Sequence, residues 1–161
     1  MLECRGMAVQ ALHALQNGFL GFERSGLFCG EFSGERVQIP IACWLIRAPD
    51  AILLFDTGLS PRAVPGLMRN DPMARFTTSD LLANRLDALG LEPDNVDLVV
   101  ISHLHYDHAG GAQLFPKSEL VVQRDEYATR TTRLRSSRAS ITARTSTSRA
   151  TGGDSWTGTP S

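Results

Sequence analysis

The 161-residue sequence predicts a layered α/β fold. Three observations carry that reading. Short apolar runs rich in Val, Ile, Leu and aromatic residues stand between turn residues. A leucine-rich segment at helical spacing separates two of them. The strand after that segment runs straight into a group of histidines.

Val9, Ala11 and Leu15 alternate around His13, which predicts a first strand with His13 as a packed or surface imidazole. Gly18, Gly21, Gly26, Gly30 and Gly34 then read as a loop-rich or hairpin region. Val37 to Ile46 reads as a strand and Ala51 to Phe55 as another, with Pro49-Asp50 as the turn between them. The second of these is apolar throughout, the pattern of a strand covered on both faces. Asp56-Thr57-Gly58 ends it. Residues 61–78, with three prolines, read as a surface loop. Ser79 is placed to cap a helix reaching about Leu89, with Leu81, Leu82, Leu86 and Leu89 on one face and Gly90 at its stop. Val96 to Ser102 forms the next buried strand, and Leu120-Val121-Val122 a short one after it.

The net charge of −1 and 20% charged residues exclude polyanion binding as the business of the whole chain. No apolar run approaches the roughly 18 residues a membrane span requires, and no signal peptide is read, so a cytoplasmic location is expected. Cys4, Cys29 and Cys43 are odd in number and form no C-x-x-C pair, which suits a reducing compartment and buried thiols. Charge is unevenly spread. From residue 129 onward there are six arginines and one acid, Asp154, in a stretch dominated by Ser, Thr and Arg. This divides the chain into a domain over 1–128 and a tail over 129–161, expected to be disordered or out of frame.

The chemistry lies in His103-Leu104-His105-Tyr106-Asp107-His108. On a strand His103 and His105 share a face, and a turn after it points Asp107 and His108 in different directions. Two imidazoles then address one cation while a carboxylate and the last imidazole address a second. Such donors suit zinc, manganese or iron(II). Ala109-Gly110-Gly111 follows, and the glycines allow positive φ and close backbone approach. Tyr106 and Trp44 read as packing residues.

Ser-His-Leu-His-Tyr-Asp-His-Ala-Gly-Gly, with Phe55-Asp56-Thr57-Gly58 ahead of it, resembles the H-x-H-x-D-H signature of the metallo-β-lactamase superfamily. Within that superfamily the sequence is most similar to N-acyl homoserine lactonases, the quorum-quenching enzymes. Ile39-Pro40 leading into Cys43-Trp44-Leu45-Ile46, the Leu-His-Tyr-Asp-His form of the motif, and Gln123-Arg124-x-Glu126-Tyr127 carry that finer likeness, over about Met7 to Ala128. The resemblance implies the N-terminal half of an αββα fold and two divalent metal ions, zinc by expectation. It assigns His103 and His105 to the first ion and Asp107 and His108 to the second. Asp56 would orient the ligand loop without touching metal. It further implies that a metal-bound hydroxide, oriented by Asp107 as a catalytic residue, opens a small-molecule lactone. A thioester or ester substrate, as in glyoxalase II-like proteins, is the alternative within the superfamily. A degenerate domain with a basic nucleic-acid-binding tail is the alternative outside it, disfavoured because the tail lacks interleaved aromatics.

The family's site also needs a further histidine for each ion and a bridging aspartate, all from its second half. No histidine follows His108, and Asp125 and Asp154 stand in no matching context. The chain is therefore expected to be incomplete, weakly active or inactive, and poorly soluble by itself. The tail offers a cause. Back-translated and displaced by one base, residues 152–159 permit Trp-Arg-Arg-Leu-Val-Asp-Gly-Asp, with the first Asp forced by the Trp156 codon. Fifteen arginines against one lysine suit the GC-rich coding in which shifted frames read as Arg, Ser and Thr. A frameshift near residue 130 predicts that the coding DNA, read in the displaced frame, encodes the missing His and Asp ligands. An alternative frame without them would refute it.

Overall fold

The computed structural model describes the backbone of residues 8–135 and side chains from 8 to 130. Five strands form one mixed sheet in the order β1(Ala11–Glu23), β2(Arg36–Arg47), β3(Ile52–Phe55), β4(Leu98–Ile101), β5(Glu119–Val122). β1, β2 and β3 pair antiparallel, and β3, β4 and β5 pair parallel. The helical segments are α1(Arg24–Leu27), α2(Val64–Asn70), α3(Leu82–Asp87), α4(Tyr106–Ala109) and α5(Arg124–Arg135). The layered α/β expectation holds, and His13 takes its place in β1 opposite Leu45.

Several local expectations are corrected. Gly18 and Gly21 lie inside β1, which runs well beyond the alternation at its start. The register jumps from Gln16↔Ala42 to Phe19↔Pro40, a bulge in which Gly18 takes φ +89°. Pro40, with no N–H to give, sits beside that irregularity. Residues 61–78 contain α2, whose proline at the first turn suits a position with no intrahelical acceptor for its missing N–H. Ser79 does not cap the leucine helix. Thr77 and Asp80 close a capping box around a separate 3-10 turn, Thr78–Asp80, and Leu81 is extended. Asp80 also pairs with Arg85 at 2.6 Å, so the turn is tied down before α3 begins at Leu82. α5 continues to Arg135, so the change of composition at residue 129 falls inside a helix. The remainder of the tail lies outside the described residues, as does Cys4.

The core sits on one face of the sheet. Leu15, Cys43, Leu45, Leu54, Val99 and Ile101 from four strands pack with Leu82, Leu86, Leu91, Val96 and Phe115. The buried Cys43 thiol donates to Asn17 Oδ1 at 3.0 Å, and burial pushes its pKa well up. Cys29, expected to be buried, is exposed. β3 was expected to be covered on both faces, and it is not. Trp44 pairs with Phe55, Phe55 with Val100 and Val100 with Val121, all on the opposite face. Trp44 is 42% exposed and Leu12, on the same side, 59%. Phe55 and Val121 are exposed to a similar degree, so this apolar row is only partly covered and Trp44, expected to pack, is part exposed. Among the described residues no helix is long and apolar enough to cross a membrane.

An uncovered apolar sheet face drives self-association. Sedimentation of the chain is expected to show concentration-dependent association that the triple variant Trp44→Thr, Phe55→Thr, Val121→Thr relieves. A monomeric wild-type chain with a sharp, cooperative melt would contradict this.

Candidate metal centre

The site is assembled where two parallel strands end. β3 stops at Phe55 and β4 at Ile101, side by side, and the Asp56 N–H still donates to Val100 O at 2.8 Å. The carboxyl ends of parallel strands are where open α/β sheets place their ligands. Asp56 then leaves the strand direction with φ +62°, a left-handed conformation that costs a non-glycine residue roughly 1–2 kcal/mol. Its buried carboxylate accepts three hydrogen bonds. Ser102 N–H reaches Oδ1 at 2.8 Å, and Ser102 Oγ–H and His108 Nδ1–H each reach Oδ2 at 2.8 Å.

Those bonds dictate the state of the rings. A carboxylate only accepts, so Ser102 Oγ spends its proton on Asp56 and must accept from His103 Nδ1, 3.0 Å away. His103 Nε2 is thereby left with its lone pair, and it faces His105 Nδ1 at 3.0 Å. His108 donates from Nδ1 to Asp56, and its Nε2 lies 3.5 Å from Asp107 Oδ2. A carboxylate behind an imidazole fixes tautomer and ring orientation in this way at metal sites. Burial foremost, then the neighbouring His108 and His105 rings, hold His103 below the ordinary value of 6.5, so it is neutral at pH 7. Neutral imidazole is the form that ligates.

The loop behind the donors is held by backbone. Thr57, fully buried, donates both its N–H (2.7 Å) and its Oγ1–H (2.9 Å) to His108 O. One turn of helix, α4, follows His105 and carries both Asp107 and His108, whose Oδ2 and Nε2 lie 3.5 Å apart. The glycines after it work differently from expectation. Gly110 has φ −64° and Gly111 φ −91°, so positive φ is not their role. A Cβ on Gly111 would stand 2.3 Å from Thr57 O and one on Gly110 2.6 Å from Ser60 N. They are needed for close approach. Tyr106, expected to pack, is 57% exposed.

The structure thus brings His103, His105, Asp107 and His108 together, with His103 and His108 ring centroids 4.0 Å apart, and sets Asp56 behind them. The donor types fit zinc. The donor count does not complete a site: the described residues hold no set of three or more placed for one ion. The sequence marks no role for Ser102, Thr57 and Glu126. Their partners are 46, 51 and 22 residues distant in the chain, where spacing carries no signal.

Asp56→Ala would leave Ser102 N–H, Ser102 Oγ and His108 Nδ1 without their shared acceptor. Urea unfolding is expected to show a loss of about 3 kcal/mol, and Asp56→Asn, which keeps one oxygen, a smaller loss. An unchanged midpoint in Asp56→Ala would show the carboxylate to be dispensable.

Comparison with known proteins agrees with this geometry. The family model described as metallo-beta-lactamase superfamily matches residues 36–145. N-acyl homoserine lactonase AiiB of Agrobacterium fabrum is 38% identical over 103 residues, covering 60% of this chain and 37% of that protein. An N-acyl homoserine lactonase of Bacillus thuringiensis is 31% identical over 128 residues, covering 75% and 51%. A solved structure of N-acyl homoserine lactone hydrolase, with N-hexanoyl-L-homoserine bound at the catalytic metal centre, superposes with TM-score 0.69 at 31% identity, covering 76% of this chain and 52% of that one. The chain spans about half the length, or less, of the relatives it matches. With more than half of its residues inside the family match and the strand-end donor cluster in place, the chain belongs to the metallo-beta-lactamase superfamily.

Proposed function

We propose that this chain carries the N-terminal half of the site of a metal-dependent hydrolase that opens N-acyl homoserine lactones. The observation that carries the reading is the Asp56–Ser102 relay, which holds the His103 and His108 rings with their Nε2 atoms beside His105 and Asp107. In this reading His103 and His105 serve one divalent ion, zinc, and Asp107 and His108 a second. Asp107 is also the catalytic residue, its carboxylate orienting the attacking water. A bound divalent ion supplies Lewis acidity and a nucleophile at neutral pH. The lactonase relatives and the product-bound structure support the lactone over a thioester or other ester. An exposed Cys29 thiol suits a reducing cytoplasm.

With two donors for each ion, the 161-residue chain is expected to open lactone weakly or not at all. Joining residues 1–128 to the second half of the Bacillus thuringiensis lactonase is expected to give a zinc-dependent enzyme that opens N-hexanoyl homoserine lactone. Asp107→Asn in that chimera should lower the rate on the order of 100-fold. A folded, zinc-loaded chimera that cleaves a glutathione thioester and leaves the lactone intact would transfer the assignment to the thioester hydrolases.

A further inference from the structure

The two histidines that begin the motif are separated by Leu104, and the structure holds that residue from both sides. Its side chain packs against the main core cluster. Its backbone N–H donates to Glu126 Oε1 at 2.9 Å, across 22 residues of chain. Glu126 lies in the first turn of α5, where the helix dipole favours a carboxylate, and its ion pair with Arg130, at 3.8 Å, is looser. Leu104 is thus pinned side chain inward and amide outward to α5. Alternation along the chain then sets the His103 and His105 rings together, 4.6 Å between centroids and 3.0 Å between Nε2 and Nδ1.

We propose that Glu126 is a positioning residue that fixes the spacing of His103 and His105 through the Leu104 amide. It touches neither ring, and it acts by removing the freedom of the peptide between them. A charge-assisted bond to a backbone N–H is among the stronger single contacts available for this purpose. The consequence for a bound metal rests on the functional reading above, whereas the geometric claim does not.

The test uses the 161-residue chain and three variants, Glu126→Ala, Glu126→Gln and Arg130→Ala. Hydrogen exchange at the Leu104 amide, followed by mass spectrometry with residue-level fragmentation, is expected to accelerate at least about tenfold in Glu126→Ala while the amides of β4 are unchanged. Glu126→Gln keeps an acceptor oxygen and should restore most of the protection. Arg130→Ala should leave it intact. Cobalt(II) titration, read by visible absorption, is expected to show affinity on the order of 10-fold weaker in Glu126→Ala and unchanged in Arg130→Ala. Equal exchange at Leu104 in wild type and Glu126→Ala would overturn the proposal. So would acceleration spread evenly over β4 and the loop, or the same loss in Arg130→Ala, because each marks a general role in stabilising α5. If no form of the chain takes up cobalt, the exchange result alone decides the role of Glu126.

Discussion

Asp56 stands where β3 stops, and its carboxylate accepts from three donors of the neighbouring strand end and loop. Burying that charge is tolerable because every donor is close and the geometry is complete. The residue accepts a left-handed backbone to reach them, and the same turn directs Thr57 back toward the carbonyl of His108. Strand end, hydroxyl relay and helical turn are therefore one unit. Moving any member leaves a buried donor or acceptor unpaired, which makes the loop discrete rather than adjustable.

The unit depends in turn on the parallel pairing of β3 with β4. Leu54 and Val99 lie opposite one another with no exposure, and their neighbours on that side fill the core under α3. The alternate residues, Phe55 and Val100, face the other way together with Trp44 and Val121. A strand has two faces at period two, and here one face is buried under helices while the other keeps Trp44, Phe55 and Val121 part exposed. The site sits at the rim of this half-covered sheet. The family match over residues 36–145 takes in β2 to β5 and the loop that carries the site.

The strands at Val37–Ile46 and Leu120–Val122 were legible because runs of β-branched and apolar residues between turns leave few alternatives. The failures have physical causes. β1 passes through Gly18 and Gly21 because a bulge lets a long strand bend, and glycine is read locally as a turn. The leucine segment begins later than Ser79 because Asp80 prefers to close its own turn with Thr77 and Arg85. β3 read as covered on both sides because an all-apolar run states that both faces avoid water, without stating what covers them.

The candidate donors were legible in the sequence alone: His103, His105, Asp107 and His108 stand within six positions, after a strand and before two glycines. So was the tendency of Asp56-Thr57-Gly58 to break a strand. Tertiary structure decided what those donors are ready to do. The seating of His108 against Asp56, the hold of Asp56 on Ser102, and the anchoring of Leu104 by Glu126 all depend on groups far apart in the chain. Local spacing carries periodicity, but a hydrogen bond between strand ends exists only after the sheet has set its register.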